Sequence, residues 1–216
     1  METSKFLEER FGIGKEVEIP NMDRHDLPTL FHELGFTKGA EIGVERGVYS
    51  KTICQRMLGV KLFLVDPWKA YRGYREHVSQ EKLDGFYEET KERLRDYDVE
   101  LVRKFSVDAA KDFENESLDF AYLDGNHEYS HVVNDLTAWV PKVKIGGIVS
   151  GHDFISRKNP EYLMGVIPAV RGYQEAYRIP TLYIIGRKER IEGEKRDNTR
   201  SWMFVKERNY YSCTQI

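Results

Sequence analysis

The sequence predicts an α/β fold, a mostly parallel sheet of seven strands closed by a C-terminal antiparallel hairpin. Three observations carry that expectation. From Gly39 onward, apolar runs of strand length alternate with amphipathic stretches, the pattern of parallel strands buried under crossover helices. The run Gly39-Ala40-Glu41-Ile42-Gly43-Val44-Glu45-Arg46-Gly47-Val48-Tyr49-Ser50 opens as a buried strand, passes two glycines and enters a helix. The last third ends in two apolar runs, 181–185 and Ser201–Val205, joined by a polar segment.

Taken in order, residues 1–36 read as a helical leader. Phe6, Leu7 and Phe11 have helical spacing, as do Leu27, Leu30, Phe31 and Leu34, with Gly35 as the stop. The first strand begins at Gly39, and Ile53, Met57 and Leu58 give the following helix its buried side. Further strands are expected at Lys61-Leu62-Phe63-Leu64-Val65, Val99-Glu100-Leu101-Val102 and Leu118-Asp119-Phe120-Ala121-Tyr122-Leu123. The next helix carries Val132, Val133, Leu136, Ala138 and Trp139 and stops at Pro141. Gly146-Gly147 is expected to turn the chain into a short fifth strand, 148–151. A helix over 165–177 leads to the hairpin, whose connection, 187–200, mixes both charge signs and reads as a solvated loop. No repeat or linker divides the chain, so 1–216 reads as a single domain with an insertion at 67–96.

Bulk properties narrow the function. A chain of 216 residues with 32% charged and 40% hydrophobic residues fits one globular domain. A net charge of -3 argues against nucleic acid as a partner. Cys54 and Cys213 match neither a disulfide framework nor a metal spacing, and the first residues lack the apolar core of a signal peptide. No apolar run is long enough for a bilayer. The expectation is a cytoplasmic protein that acts on a small molecule without membrane or nucleic acid, with a homodimer as the possible assembly.

The glycine turn is the centre of the functional reading. Gly43 and Gly47 remove side chains where a strand becomes a helix, so a ligand can approach bare backbone beside unpaired N–H groups. Glu41 sets this turn apart from one built for pyrophosphate. A carboxylate on a buried strand is costly unless something cationic or hydrogen-bonding meets it, which suits a ligand with an ammonium group. In an open α/β sheet the ligand lies across the carboxyl ends of the strands. That geometry picks out Glu41, Asp66, Ser106, Asp124 and Asp153, one from each successive strand end. The run Asp124-Gly125-Asn126-His127 and the later Gly151-His152-Asp153-Phe154 bring two acids and two imidazoles to adjacent strand ends. Two carboxylates there suit a hard divalent cation such as Mg²⁺, with His152 as a further ligand. His127 is placed to take a proton from an acceptor hydroxyl, because an unperturbed imidazole is largely neutral near pH 7.

The Glu-x-Gly-x-x-x-Gly pattern resembles motif I of the class I S-adenosylmethionine-dependent methyltransferases. The resemblance implies a Rossmann-like three-layer sandwich and S-adenosyl-L-methionine as cofactor. It implies that Gly43 and Gly47 wrap the methionine part, that Glu41 helps hold the amino group and that Asp66 takes the ribose hydroxyls. Ser106 falls where the family touches the adenine, and serves equally as a helix cap. Ser50 either meets the cofactor carboxylate or caps its helix. The acid–imidazole runs look like the metal-dependent small-molecule O-methyltransferases of the catechol and macrocin types. By that likeness Asp124 and Asp153 are metal ligands, Asp124 also borders the cofactor and the catalytic centre, and His127 occupies the position of the basic catalytic residue. Phe154 departs from the pattern, standing where that group has an amide ligand.

Acceptor recognition is expected in the insertion, where Trp68, Tyr71 and Tyr74 accompany Lys69, Arg72 and Arg75. Aromatics of a lid packing on the body are the other reading of these residues. The implied reaction is O-methylation of a sugar or natural-product hydroxyl. A nicotinamide-dependent oxidoreductase is disfavoured because Glu45 stands where Gly-x-Gly-x-x-Gly needs its second glycine. A catalytically silent binding module is the third alternative, and intact Asp124, His127 and Asp153 argue against it.

Overall fold

The computed structural model describes residues 2–71, 78–156 and 164–210. Eight strands form one sheet: β1 (Glu16–Ile19), β2 (Lys38–Ile42), β3 (Lys61–Val65), β4 (Val99–Val102), β5 (Leu118–Leu123), β6 (Val143–Gly151), β7 (Leu182–Ile185) and β8 (Ser201–Val205). Their order is β1-β7-β8-β6-β5-β2-β3-β4. Only β8 runs antiparallel, against β6 and β7, so the expected mostly parallel sheet with its closing hairpin is present. The eighth strand comes from the leader, which is therefore not wholly helical: Glu16–Ile19 adds a parallel edge to β7.

Side-chain alternation along the strands divides the core into two faces. Ala40, Ile42, Ala121 and Val149 pack with Ala109, Leu136, Trp139 and Val170 of α5 (Ser106–Ala110), α6 (Tyr129–Trp139) and α7 (Val166–Tyr177). Leu62, Leu64, Phe120 and Tyr122 face the other way. They pack with Leu7, Phe31, Ile53 and Leu94 of α1 (Thr3–Phe11), α2 (Leu27–Glu33), α3 (Val48–Arg56) and α4 (Gln80–Leu94). The three-layer sandwich follows. Glu41, between Ala40 and Ile42, points to the α1–α4 face and is 2% exposed.

Two expectations about the later strands change. Gly146-Gly147 does not turn the chain: β6 runs from Val143 and carries an irregularity in register against β5 between Leu118 and Phe120. Gly146 adopts φ +84, and a Cβ on Gly147 would lie 2.4 Å from the Asp119 carbonyl oxygen, so both glycines serve a bulge inside a long strand. The 187–200 connection is not a purely solvated loop either. Its end turns inward, and Asp197 and Thr199 reach His152.

β2 is the strand that positions the site, and it leans on a tight contact. A Cβ on Gly39 would stand 2.2 Å from Cζ of Phe120, whose ring is fully buried and packs on Phe31 at 4.8 Å. Gly39→Ala is expected to cost about 1–3 kcal/mol through overpacking. A denaturant midpoint equal to that of the wild type would contradict this packing.

Candidate active site

A cleft of about 610 Å³ crosses the carboxyl ends of β2, β3, β4, β5 and β6. Its floor is the turn after β2. Gly43 has φ +91, and a Cβ there would lie 2.2 Å from the Asp124 carbonyl oxygen, so the turn packs directly on the backbone following β5. Asp66, after β3, holds the turn from the other side. Its Oδ2 accepts from the N–H groups of Val44 (3.1 Å) and Glu45 (3.0 Å), and its Oδ1 accepts from Trp68 N–H at 2.7 Å. Glu45, Trp68 and Asp153, all bordering the cleft, take φ values of 55, 41 and 53. Left-handed backbone at non-glycine residues costs energy and gathers at functional sites.

Glu41 borders the cleft from beneath and accepts a short hydrogen bond from the fully buried Ser50 hydroxyl. Burial pushes its carboxyl up to about 8; Asp124 and Asp66 add to the rise, while Ser50 and Arg24 oppose it. The structure thus holds a buried acid short of positive charge, beside a turn stripped of side chains.

At the next strand ends the acids and imidazoles converge. His127 Nε2 stands 3.1 Å from Asp153 Oδ2 and 3.4 Å from Asp124 Oδ1. His152 Nδ1 is 3.5 Å from Asp153 Oδ2 and 4.0 Å from Asp124 Oδ1. Asp124, His152 and Asp153 each offer a ligand atom, all within 4.8 Å of one another. Burial acts to raise the Asp153 carboxyl, but hydrogen bonds from His152 and Thr199 and the charges of His127 and His152 outweigh it and hold the group low. Arg24, from the turn before α2, brings a guanidinium 3.5 Å from Asp124 Oδ2 and 2.9 Å from Asp197 Oδ2. Its position is fixed by Tyr49, whose hydroxyl donates to the Arg24 carbonyl at 2.8 Å and whose ring lies 5.5 Å below the guanidinium.

A family model described as a methyltransferase domain matches residues 40–154, more than half of the chain. The chain belongs to this methyltransferase-domain family. Solved structures agree on the fold. A Staphylococcus aureus protein provisionally named a caffeoyl-CoA O-methyltransferase has a TM-score of 0.59 at 13% identity, over 94% of this chain and 90% of its own. An O-methyltransferase from Bacillus cereus in complex with SAH has a TM-score of 0.57 at 14% identity, over 84% and 80%. The O-methyltransferase TomG from Streptomyces achromogenes, in complex with SAM, has a TM-score of 0.56 at 16% identity, over 84% and 79%. A relative in Sinorhizobium fredii (strain NBRC 101917 / NGR234), the uncharacterized protein y4gI, is 30% identical over 135 residues. The chain spans 14% of that relative's length.

The chain brings together most of the residues expected to form its site. Glu41, Gly43, Asp66, Tyr71, Ser106, Asp124, His127, His152 and Asp153 all border the cleft. Three expectations need correction. Gly47 faces away, because a Cβ there would meet Thr90 of α4 at 2.9 Å; helix packing requires that glycine. Ser50 neither caps α3 nor reaches the cleft, since its hydroxyl is committed to Glu41. Trp68 is 1% exposed and its indole N–H donates to the Glu45 carbonyl at 2.7 Å, so it braces the turn instead of stacking on an acceptor. Tyr74 lies outside the described residues. Phe154 is fully buried, with the guanidinium groups of Arg171 and Arg200 5.6 and 5.5 Å from its ring centre.

Sequence reasoning missed Arg24, Asp135 and Asp197. Asp135 borders the cleft from α6, accepts from Ser106 and is pushed up to about 7 by burial, partly opposed by that hydroxyl. Its signal was present: it sits on the same helical stripe as Val132, Leu136 and Trp139. Arg24 and Asp197 carry no local signal.

The raised Glu41 carboxyl has a consequence for stability. The folded chain keeps a proton that the unfolded chain loses above about 4.5, so this group's contribution to stability falls as pH climbs from there to about 8. Glu41→Gln removes that dependence. Its denaturant midpoint is expected to gain on the wild type between about pH 5 and about pH 8. A constant difference across that range would contradict the buried, protonated acid.

Proposed function

We propose that this methyltransferase moves a methyl group from S-adenosylmethionine to a hydroxyl of a small molecule, with His127 as the general base. The observation that carries the reading is the His127 imidazole held against Asp153 and Asp124 at the edge of a cleft whose floor suits the donor. The SAH and SAM complexes of the Bacillus and Streptomyces structures support the choice of donor. The residues present fit it. A buried acid lacking a cation, a turn that a Cβ would fill, and Asp66 at the next strand end suit an ammonium, a close backbone approach and a ribose in turn.

S-adenosylmethionine supplies an electrophilic methyl carried on a sulfonium. Glu41 meets the ammonium group and gives up its proton on doing so, since a cation in contact favours the carboxylate. Asp66 retains one unused lone pair on Oδ1 for a ribose hydroxyl while its other bonds hold the turn still. His127, with Nε2–H donating to Asp153, takes the hydroxyl proton on Nδ1. Asp153 and Asp124 then stabilise the imidazolium, as a buried acid does for a catalytic histidine. Displacement at carbon is in line, so alignment and exclusion of water by the walls at Tyr71 and Phe86 contribute most of the acceleration. Asp124, His152 and Asp153 would hold a divalent cation, whose chemistry would be to lower the pKa of the acceptor hydroxyl. Failure of Mn²⁺ to bind in a calorimetric titration would remove the ion from the scheme.

We read the chain as one methyltransferase domain with the acceptor entering beside the 67–96 insertion, and take a small-molecule acceptor as its partner. No helix of the described residues is long and apolar enough to cross a membrane.

Calorimetry tests the donor. S-adenosylhomocysteine is expected to bind with a heat that depends on buffer ionisation near pH 7, from the Glu41 proton, and NAD is expected to give none. No heat from S-adenosylhomocysteine would overturn the function. His127→Gln is expected to keep that affinity and to lower turnover of hydroxyl acceptors by about 100-fold or more; undiminished turnover would place the base elsewhere.

A further inference from the structure

Helix α7 meets the loop that carries His127 at its N-terminal cap, Gly165. Gly165 N–H donates to the His127 carbonyl at 2.7 Å, and the Gly165 carbonyl accepts from Ala169 N–H at 3.0 Å. The loop backbone is thereby tied to α7 at the residue whose imidazole stands against Asp153 and Asp124.

A second contact is steric. Gly165 has φ -100 and ψ 2, a conformation open to other residues, so its backbone does not call for glycine. Space does. A Cβ there would stand 2.2 Å from Tyr129 N, 2.4 Å from Tyr129 Cα and 2.7 Å from Tyr129 Cβ, closer than close-packed interiors allow. Something must move by about 1 Å to admit it, and burial decides which side. Val166, Ala169 and Val170 hold α7 in place, buried in one core with Val132, Leu136 and Trp139. Residues 125–128 are only half-buried and are the softer partner. Glu128 N–H donates to Asn126 Oδ1 at 2.9 Å, so a push at Tyr129 carries back along the loop to His127.

We infer that Gly165 is a positioning residue for His127: its N–H and its bare Cα together set the backbone from which the imidazole reaches Asp153 and Asp124. The inference rests on the reading of His127 as the base and deepens it. Gly165 does not border the cleft, so it acts through the loop alone. It also lies beyond residues 40–154, which gives the segment after the matched family region a share in the site. A base must stand within hydrogen-bond reach of the proton it takes, and a displacement of about 1 Å breaks that alignment.

Carbethoxylation by diethylpyrocarbonate on the whole chain, mapped by peptide mass, reads the position of His127. With Nε2 against two carboxylates, the ring is expected to react slowly compared with the exposed His32 of α2. In Gly165→Ala the ratio of the His127 rate to the His32 rate is expected to rise about tenfold, as when a hydrogen bond to a charged partner is lost. Affinity for S-adenosylhomocysteine, read by calorimetry, is expected to stay within about twofold, because the turn after β2 shares no contact with Gly165. A merely structural glycine would raise both histidine rates together through general loosening, or leave the ratio unmoved at a lower unfolding midpoint. Either result overturns the inference, as does a loss of S-adenosylhomocysteine affinity as large as the rise in the ratio. Should Gly165→Ala fail to fold, amide exchange at Gly165 in the wild type decides. Exchange as slow as in the interior of α7 supports the contact, and exchange at the rate of an open amide overturns it. Undiminished turnover by His127→Gln removes the base reading and this inference together, whereas an unmoved ratio removes the inference and leaves the base reading standing.

Discussion

Three hydrogen bonds to one carboxylate organise this site. Asp66 accepts from the N–H groups of Val44, Glu45 and Trp68, which joins the end of β3 to the turn that follows β2. Backbone bonds pin the same turn to both neighbouring strands. Gly43 N–H donates to the Val65 carbonyl at 2.9 Å, and Asp124 N–H donates to the Ile42 carbonyl at 2.7 Å. Three parallel strands therefore present their ends at fixed separations, and Glu41, Asp66 and Asp124 inherit their positions from them. The left-handed backbone at Glu45 and Trp68 is a cost that these bonds offset.

The second constraint is charge. Asp124, Asp153 and Asp197 crowd one region, and their mutual repulsion is relieved by Arg24, His127 and His152. Those groups come from the leader, two neighbouring strand ends and the hairpin connection. The site is consequently completed by segments near both ends of the chain, while the matched family region covers only residues 40–154. Lys195, paired with Asp26 and 3.6 Å from Asp23, ties the same two segments together at the surface. Glu41 differs from the cluster in having only a hydroxyl for a partner, which is why burial dominates its protonation and why an incoming ammonium would be its natural counter-charge.

The central strands are legible in the sequence because strands buried on both faces read as continuous apolar runs, as at Lys61–Val65 and Leu118–Leu123. Strand β1 is not, because its four residues alternate Glu and apolar side chains at the edge of the sheet, where a short period-two pattern is easily absorbed into a helical leader. The acids at strand ends are legible from topology alone, since crossing from strand to helix places Asp66, Asp124 and Asp153 on one rim. What a side chain does there depends on contacts between distant segments. Ser50 and Gly47 follow the motif in spacing yet serve Glu41 and α4. Trp68 looks like an acceptor platform until its N–H is found on Glu45. Arg24 and Asp124 are 100 positions apart, and nothing in either neighbourhood announces their meeting.

If the cleft is built before any ligand arrives, the Val44 and Glu45 amides must already be held. Amide hydrogen exchange on the ligand-free chain measures this at the two positions that matter. Slow exchange at both, released together by Asp66→Ala, is the result expected of a turn fixed by one carboxylate. Rapid exchange at both in the wild type would show that the turn is loose and that the site is assembled by something else.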